Sequence, residues 1–344
     1  MRAALVGCGL MSRGWLEACA RIEGLQIVAL VDLELGAAER QASTFGLSES
    51  LCTTDLDRAL ATTRPDVVFD VTIPAARRGV VEAALARGCH VLTEKPMATS
   101  MEDARRFVDL ARAAGCVHAV VQNRRFLGGI RRMRRFVESA AIGPLTAVHC
   151  DFFLAPHFDG FRTTMDHVLL LDMAIHTFDA ARYVAGVAPL AVYCHESNPA
   201  GSSFRAGAAA DAIFEMAGGA VLTYRGSWAA EGLRTSWESA WRLVGAEGSL
   251  TWDGAEGFAA ERPAGRSGLL WEQAAIDIPA LDRDDRVGGH EGAIRDFLDA
   301  LRTGRQPECP GGDNIRSLAM VLGAIRSAET GRRIVIDHTE EFPA

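Results

Sequence analysis

Ala3-Ala4-Leu5-Val6-Gly7-Cys8-Gly9-Leu10-Met11-Ser12 is the stretch whose reading decides the fold. Its first four residues are an apolar run, as expected for a strand buried on both faces of a parallel sheet. A glycine-rich turn follows at once. Residues 13–21 then read as a helix, with Trp15, Leu16 and Cys19 at helical spacing, and Leu25 to Val31 is a second apolar strand ending in Asp32. Strand, turn, helix, strand and terminal acid make the order that a dinucleotide-binding βαβ unit requires. Gly7 permits the tight turn and Gly9 lets the backbone approach a pyrophosphate. The helix N-terminus beyond Leu10 and Met11 offers free N–H groups and a positive dipole end to the phosphates. Ser12 stands where a third glycine is usual, and its small side chain preserves close packing of helix on strand. Asp32 is placed to accept hydrogen bonds from the adenosine ribose hydroxyls. Its charge repels a 2′-phosphate, and Leu33, Glu34 and Leu35 supply no arginine to hold one. NAD is therefore expected in preference to NADP.

Working outward, strands and helices keep alternating. Val67-Val68-Phe69 reads as a strand and Pro74 punctuates the turn after it. Residues 77–87 read as a helix, Cys89 to Thr93 as a strand, 100–113 as a helix and Val117 to Val121 as a strand. Alternating βαβ units imply a doubly wound parallel sheet. Beyond residue 121 the pattern changes. Segments around 145–153 and 188–258 carry strand character, among them Ala212 to Met216, Ala220 to Tyr224, Trp241 to Val244 and Ser249 to Trp252. Gly218-Gly219 and Gly245 to Gly248 are hairpin signals. The expected class is α/β: an N-terminal doubly wound parallel sheet over residues 1–121, then an α/β domain with a large, mainly antiparallel sheet over 122–344. Helices at about 289–303 and 313–330 are free to pack back on the first domain.

The chain has 344 residues, enough for two domains, and 49% hydrophobic residues, enough for full cores. A net charge of −8 argues against broad nucleic-acid binding. Eight cysteines are scattered without a C-x-x-C and read as reduced thiols in a cytoplasmic protein. No apolar run approaches the ~20 residues that cross a bilayer. The glycine turn interrupts the N-terminal apolar run, so no signal peptide is expected.

In the second region, Leu170-Leu171-Asp172-Met173-Ala174-Ile175-His176-Thr177-Phe178-Asp179 reads as a buried helix carrying ionisable groups at i, i+4 and i+7. At about 3.6 residues per turn, Asp172, His176 and Asp179 share one face. A carboxylate and an imidazole one turn apart in apolar surroundings make a candidate proton-transfer pair. In the first region, Glu94-Lys95-Pro96 follows the strand Cys89–Thr93. Ligands of open parallel sheets sit outside the carboxyl ends of the strands, so Lys95 is carried toward a cofactor.

Taken together and in this order, Gly7-Cys8-Gly9, Asp32, Glu94-Lys95-Pro96 and Asp172-x-x-x-His176-x-x-Asp179 resemble the glucose–fructose oxidoreductase/inositol dehydrogenase/rhizopine-catabolism (Gfo/Idh/MocA) family over nearly the whole chain. Gly304-Arg305-Gln306-Pro307 followed by Asp313 is similar to that family's C-terminal region. The resemblance implies a Rossmann domain, a second domain whose sheet forms dimers or tetramers, and NAD(P)-dependent oxidation or reduction of a sugar, inositol or related polyol. It makes Lys95 the active-site lysine, Asp172 the substrate-binding acid and His176 the general acid/base. Thr72, Pro74, Glu94 and Lys95 join Gly7, Cys8, Gly9, Leu10, Met11 and Asp32 as the expected cofactor-binding set. Two departures stand out. Arg77 is near the place of a family histidine, and Asp166-His167 replaces a run of glycines before the catalytic helix.

Lower-ranked candidates are Arg162, Asp166 and His167, just upstream of that helix, and Asn123 and Arg125 at the domain junction, all as substrate contacts. No compact metal-ligand spacing occurs, so no metal is expected. The expected partner is a small sugar-like or polyol molecule, with neither nucleic acid nor membrane. Two other functions stay open at this stage: a cofactor-binding sensor without turnover, and elimination of a glycoside through transient oxidation.

Overall fold

The protein is described by a computed structural model that covers residues 1–282 and 285–336. It divides into two compact units, one of Met1–Phe126 with Arg286–Leu318, the other of Leu127–Asp285 with the described residues from Ala319 onward.

Six strands build the first unit: β1 (Arg2–Val6), β2 (Gln26–Val31), β3 (Leu51–Thr53), β4 (Val67–Asp70), β5 (His90–Thr93) and β6 (His118–Val120). They pair in parallel in the order β3-β2-β1-β4-β5-β6. Ala3 to Val6 and Val67 to Asp70 are buried throughout, which is why these strands read as unbroken apolar runs. The helices between them are α1 (Leu10–Cys19), α2 (Leu35–Thr44), α3 (Leu56–Thr63), α4 (Pro74–Ala86) and α5 (Met101–Ala113). Their starts follow from local chemistry. Pro74 occupies the first turn of α4, where no N–H is needed. Asp55 and Ser100 cap α3 and α5 by accepting the backbone N–H groups of Arg58 and Asp103.

The second unit holds α6 (Gly128–Glu138), α7 (Ile175–Ala185) and a nine-stranded sheet. Its strands are β7 (Leu145–Phe153), β8 (Pro189–Ser197), β9 (Ala209–Met216), β10 (Val221–Ser227), β11 (Ala240–Gly245), β12 (Gly248–Trp252), β13 (Phe258–Pro263), β14 (Gln273–Ala275) and β15 (Ile334–Val335). The order is β14-β13-β12-β11-β7-β10-β9-β8-β15, antiparallel except for β7 with β10. In β9, Ala210, Ala212, Phe214 and Met216 are buried while Asp211, Ile213 and Glu215 are exposed. This alternation marks a sheet covered on one face. Phe178 of α7 packs edge-on against Phe214 and Tyr224 at ring separations of 4.8 and 5.2 Å.

The chain then enters α8 (His290–Thr303) and α9 (Gly311–Thr330). Ala293, Ile294, Phe297 and Leu298 of α8 belong to the same buried cluster as Leu5, Trp15, Leu30 and Phe69, so a segment late in sequence completes the first unit's core.

One buried polar group sets an acid limit on this unit. His118 is 4% exposed and packs edge-on against Phe107. Burial, with the nearby Arg77 charge second, pushes its pKa down to about 3. The folded state holds the neutral ring, so its contribution is intact above the unfolded pKa of about 6.5 and is lost as pH falls from there toward 3. His118→Gln is therefore expected to flatten the fall in stability between pH 6.5 and 4.5, which the wild type shows at up to about 1.4 kcal/mol per pH unit from this group. Urea unfolding at several pH values checks this. An unchanged slope in the variant contradicts it.

Candidate functional site

In the first unit the strand order reverses between β1 and β4, the switch point at which open α/β sheets bind ligands. Gly7 sits there with φ +94°, a conformation that side chains resist. A Cβ on Gly7 would lie 2.8 Å from the carbonyl group of Val71, so the turn is pressed against the end of β4. A Cβ on Gly9 would meet nothing within 4 Å, leaving that backbone open to a ligand. Gly9 caps α1 without a side-chain hydrogen bond, and the first turn carries no acid. Ser12 is fully buried and donates to the Gly9 carbonyl at 2.6 Å, doing the packing of a third glycine while tying down the turn.

Asp32 fixes the turn from the neighbouring strand. Its Oδ2 accepts the Cys8 N–H at 2.7 Å and its Oδ1 accepts the Glu34 N–H at 2.9 Å. Leu10, at the start of α1, and Leu33, in the loop after β2, are 83% and 92% exposed, and Ile73 is exposed after β4. Open amides at a helix start, a pinned carboxylate and unburied apolar side chains fit phosphates, ribose hydroxyls and a flat base in turn. The residues present thus fit NAD.

Thr72 donates through its backbone N–H (3.0 Å) and its hydroxyl (2.6 Å) to Asp70 Oδ1, and Pro74 opens α4. Glu94 is 6% exposed and forms a hub. Its Oε1 accepts the Trp15 indole N–H at 2.8 Å and meets His290 Nε2 at 3.0 Å, while its Oε2 accepts the Lys95 N–H at 3.1 Å. Burial alone pushes its pKa up, but the hydrogen bond and charge of His290, then Lys95 and Trp15, bring it down to about 2. The Glu94 side chain, next to Lys95, is therefore anchored. The Lys95–Pro96 peptide bond is cis. Arg77 Nη1 donates to the Pro96 carbonyl, Nε to Asp70 Oδ2 at 3.0 Å and Nη2 to the Thr72 carbonyl at 2.6 Å.

His290, Asp70 and Arg77 bear on the Lys95 loop without having been assigned a role from sequence. Arg77 stands out as a departure from the family pattern. His290 carries no local signal, since it is 196 residues from Glu94. Asn123 Nδ2 lies 3.3 Å from His290 Nδ1. Arg125 is buried and bonds the Glu308 carbonyl and Asp313 Oδ2 at 2.9 and 2.8 Å, so its guanidinium helps close the first unit.

In the second unit the segment leading to His176 is not one α-helix. Residues Leu169–Ala174 form a π-helix, and the α geometry begins at Ile175. The single face from Asp172 to Asp179 expected from α periodicity therefore crosses a change of pitch. The two ends of that expectation also differ in setting. Asp179 is fully buried and lies 3.5 Å from Arg182, whereas Asp172 is half-buried with its Oδ2 2.5 Å from Arg162 Nε. The π segment is entered through a close approach. A Cβ on Gly207 would fall 2.7 Å from His167 Cα, and the Gly207 carbonyl accepts the Leu169 N–H at 3.0 Å.

Of the second unit's candidates, the structure brings together Asp172 and Arg162. Asp166 instead pairs with the exposed Arg205 at 2.6 Å. His167 Nδ1 lies 2.5 Å from Glu196 Oε2 and its Nε2 lies 3.5 Å from Glu329.

Comparison with known proteins agrees with this architecture. Residues 1–122 match the family model described as oxidoreductase family, NAD-binding Rossmann fold, and residues 130–251 match the GFO/IDH/MocA C-terminal domain. The chain is 26% identical to 1,5-anhydro-D-fructose reductase of Ensifer adhaerens, over 98% of each protein. It is 27% identical to D-apiose dehydrogenase of Paraburkholderia graminis, over 100% of this chain and 92% of that protein. An oxidoreductase from Agrobacterium radiobacter, solved with NAD+, L-tartaric acid and magnesium, shares the fold at a TM-score of 0.84 and 23% identity, over 98% of each chain. With both of its domains matched in order, the chain belongs to the Gfo/Idh/MocA family of NAD-binding oxidoreductases.

Proposed function

We propose that this protein transfers a hydride between nicotinamide and the hydroxyl or carbonyl carbon of a sugar, inositol or related polyol. NAD, when bound, supplies the hydride acceptor in the oxidative direction, so that a secondary alcohol becomes a ketone and one proton is released. His176 takes that proton from the substrate hydroxyl as general base and returns it in the reductive direction. Lys95 stabilises the negative charge that develops on the same oxygen. Asp172 accepts a hydrogen bond from a neighbouring substrate hydroxyl. NAD is favoured over NADP because Asp32 opposes a 2′-phosphate and the nearest following cation, Arg40, lies on α2.

The observation that carries this reading is the open, uncapped turn from Gly7 to Ser12 with Asp32 pinned beside it. It is a dinucleotide seat in a chain whose full-length relatives are named for sugar chemistry. Association of copies through the open face of the nine-stranded sheet belongs to the same proposal. The test is NADH formation from NAD by the purified protein against inositols, hexoses, pentoses and sugar acids, with NADP in parallel. Turnover with NAD, and at least tenfold less with NADP, is expected. Tight NAD binding with no turnover of any member of the panel would count against it.

A further inference from the structure

Arg162 is paired directly with the proposed substrate-binding acid. It lies in the short 3-10 turn Phe161–Thr164, ahead of the π segment. Its Nε is committed to Asp172 Oδ2 at 2.5 Å. Its guanidinium carbon stands 5.1 Å from the centre of the Phe158 ring and 4.9 Å from that of Phe161. Phe158 in turn packs edge-on against Trp228, which is 3% exposed and stacks on Phe204. The cation is therefore held by an aromatic wall and an ion pair rather than waving in solvent. Its side chain is nonetheless 24% accessible, and among the described residues neither Nη group has a hydrogen-bond partner. In the same wall, the buried Trp228 indole N–H has no acceptor among the described residues.

Asp172 and Arg162 cancel in charge, but their hydrogen-bonding capacities do not cancel. A guanidinium carries five donors in a rigid fork, and one of them serves Asp172. The remaining Nη donors match the two oxygens of a carboxylate, which forms stronger, charge-assisted bonds than a neutral hydroxyl does. The half-buried Phe158 ring, packed on Trp228, shields one side of the guanidinium from water and strengthens that preference.

We infer that the substrate carries a carboxylate, a sugar acid or polyol acid, and that Arg162 binds it through its Nη groups while its Nε keeps Asp172 in place. This rests on the hydride-transfer reading above and narrows it to an acidic substrate class. Arg162 acts as a specificity-determining residue beside the hydroxyl contact proposed for Asp172.

The experiment compares acids with their neutral counterparts on the full-length protein with NAD: D-glucuronate against D-glucuronamide and D-glucose, and D-galacturonate against D-galactose. The wild type is expected to favour the acids by at least tenfold in kcat/KM. In R162Q that ratio falls by roughly 10–100-fold, the worth of one charge-assisted contact, and R162K restores part of it. Equal or better turnover of the neutral compounds by the wild type overturns the inference, and so does an R162Q defect equal for both classes. The amide-against-acid comparison needs no variant, so poor folding of R162Q does not remove the test. If no compound is turned over, the hydride-transfer reading fails separately, and calorimetric titration of the NAD-saturated protein with D-glucuronate decides the anion site. Binding lost in R162Q sustains it, and no binding to the wild type refutes it.

Discussion

Replacing His176 with alanine is expected to lower kcat by roughly 10²–10⁴-fold, the usual worth of a positioned general base, while NAD binding is retained. The asymmetry follows from where the residues lie. His176 is the second residue of α7, in the second unit, whereas the turn, Asp32 and the start of α1 that fit NAD all lie in the first. A fluorescence titration with NADH on the same preparation therefore separates loss of chemistry from loss of cofactor. Partial recovery by added imidazole is the expected signature of a missing proton acceptor. Lys95→Ala is expected to cost about 10²–10³-fold in kcat, the scale of losing one preorganised charge at a developing oxyanion. The two defects should combine to less than their product, because the proposed mechanism assigns both residues to the same step. Full activity in His176→Ala removes the base from the mechanism, and a lost NADH affinity shows that the substitution did more than delete a proton acceptor.

The parts of this molecule that are legible in sequence are those in which one local period does the work. Ala3 to Val6 and Val67 to Phe69 announce themselves because a strand buried on both faces has no polar position to interrupt it. Residues 212–216 and 220–224 are readable because a half-covered sheet alternates. Gly7 and Asp32 are readable because tight turn, pyrophosphate and ribose each demand one residue type at a set distance along a βαβ unit. What escapes is whatever depends on pitch or on long separation. A six-residue window such as Leu169–Ala174 cannot distinguish an α from a π turn, since Leu169, Leu170, Met173 and Ala174 are buried in either. The Glu94–His290 contact depends on α8 returning to the first unit's core, which no local pattern encodes. The pairing of Arg162 with Asp172 depends on the 3-10 turn at Phe161–Thr164. Arg162 thus entered only as one of several polar residues upstream of the helix, alongside Asp166 and His167, which prove to be engaged with Arg205, Glu196 and Glu329.

Arg77→Met is expected to destabilise the first unit by about 3–5 kcal/mol, the range for removing one partner of a buried ion pair. Arg77 and Asp70 have side chains 1% and 0% exposed. Burial pushes the Asp70 carboxyl upward against the opposing pull of Arg77 and Thr72, so without the guanidinium the carboxylate is left with desolvation and only the Thr72 bonds. The single side chain also satisfies the carbonyls of Thr72 and Pro96. Lysine is expected to recover little, because a point charge on a flexible stem cannot serve three acceptors in fixed directions. Combining Arg77→Met with Asp70→Asn should recover part of the loss by removing the stranded charge, and the failure of the two costs to add measures their coupling. Urea unfolding followed by circular dichroism reads the stability change. A loss under about 1 kcal/mol in Arg77→Met would mean that the pair contributes no more than an exposed one. The second consequence is catalytic. The Pro96 carbonyl immediately follows Lys95, so Arg77 is a positioning residue for the proposed oxyanion-stabilising lysine. Assayed where the variant is still fully folded, Arg77→Met should lower kcat by more than it weakens NAD binding, because the Gly7–Asp32 contacts do not involve Arg77 and only the Thr72 carbonyl links it to the expected cofactor-binding set. A purely structural arginine predicts the opposite division: lost stability with kcat per folded molecule unchanged.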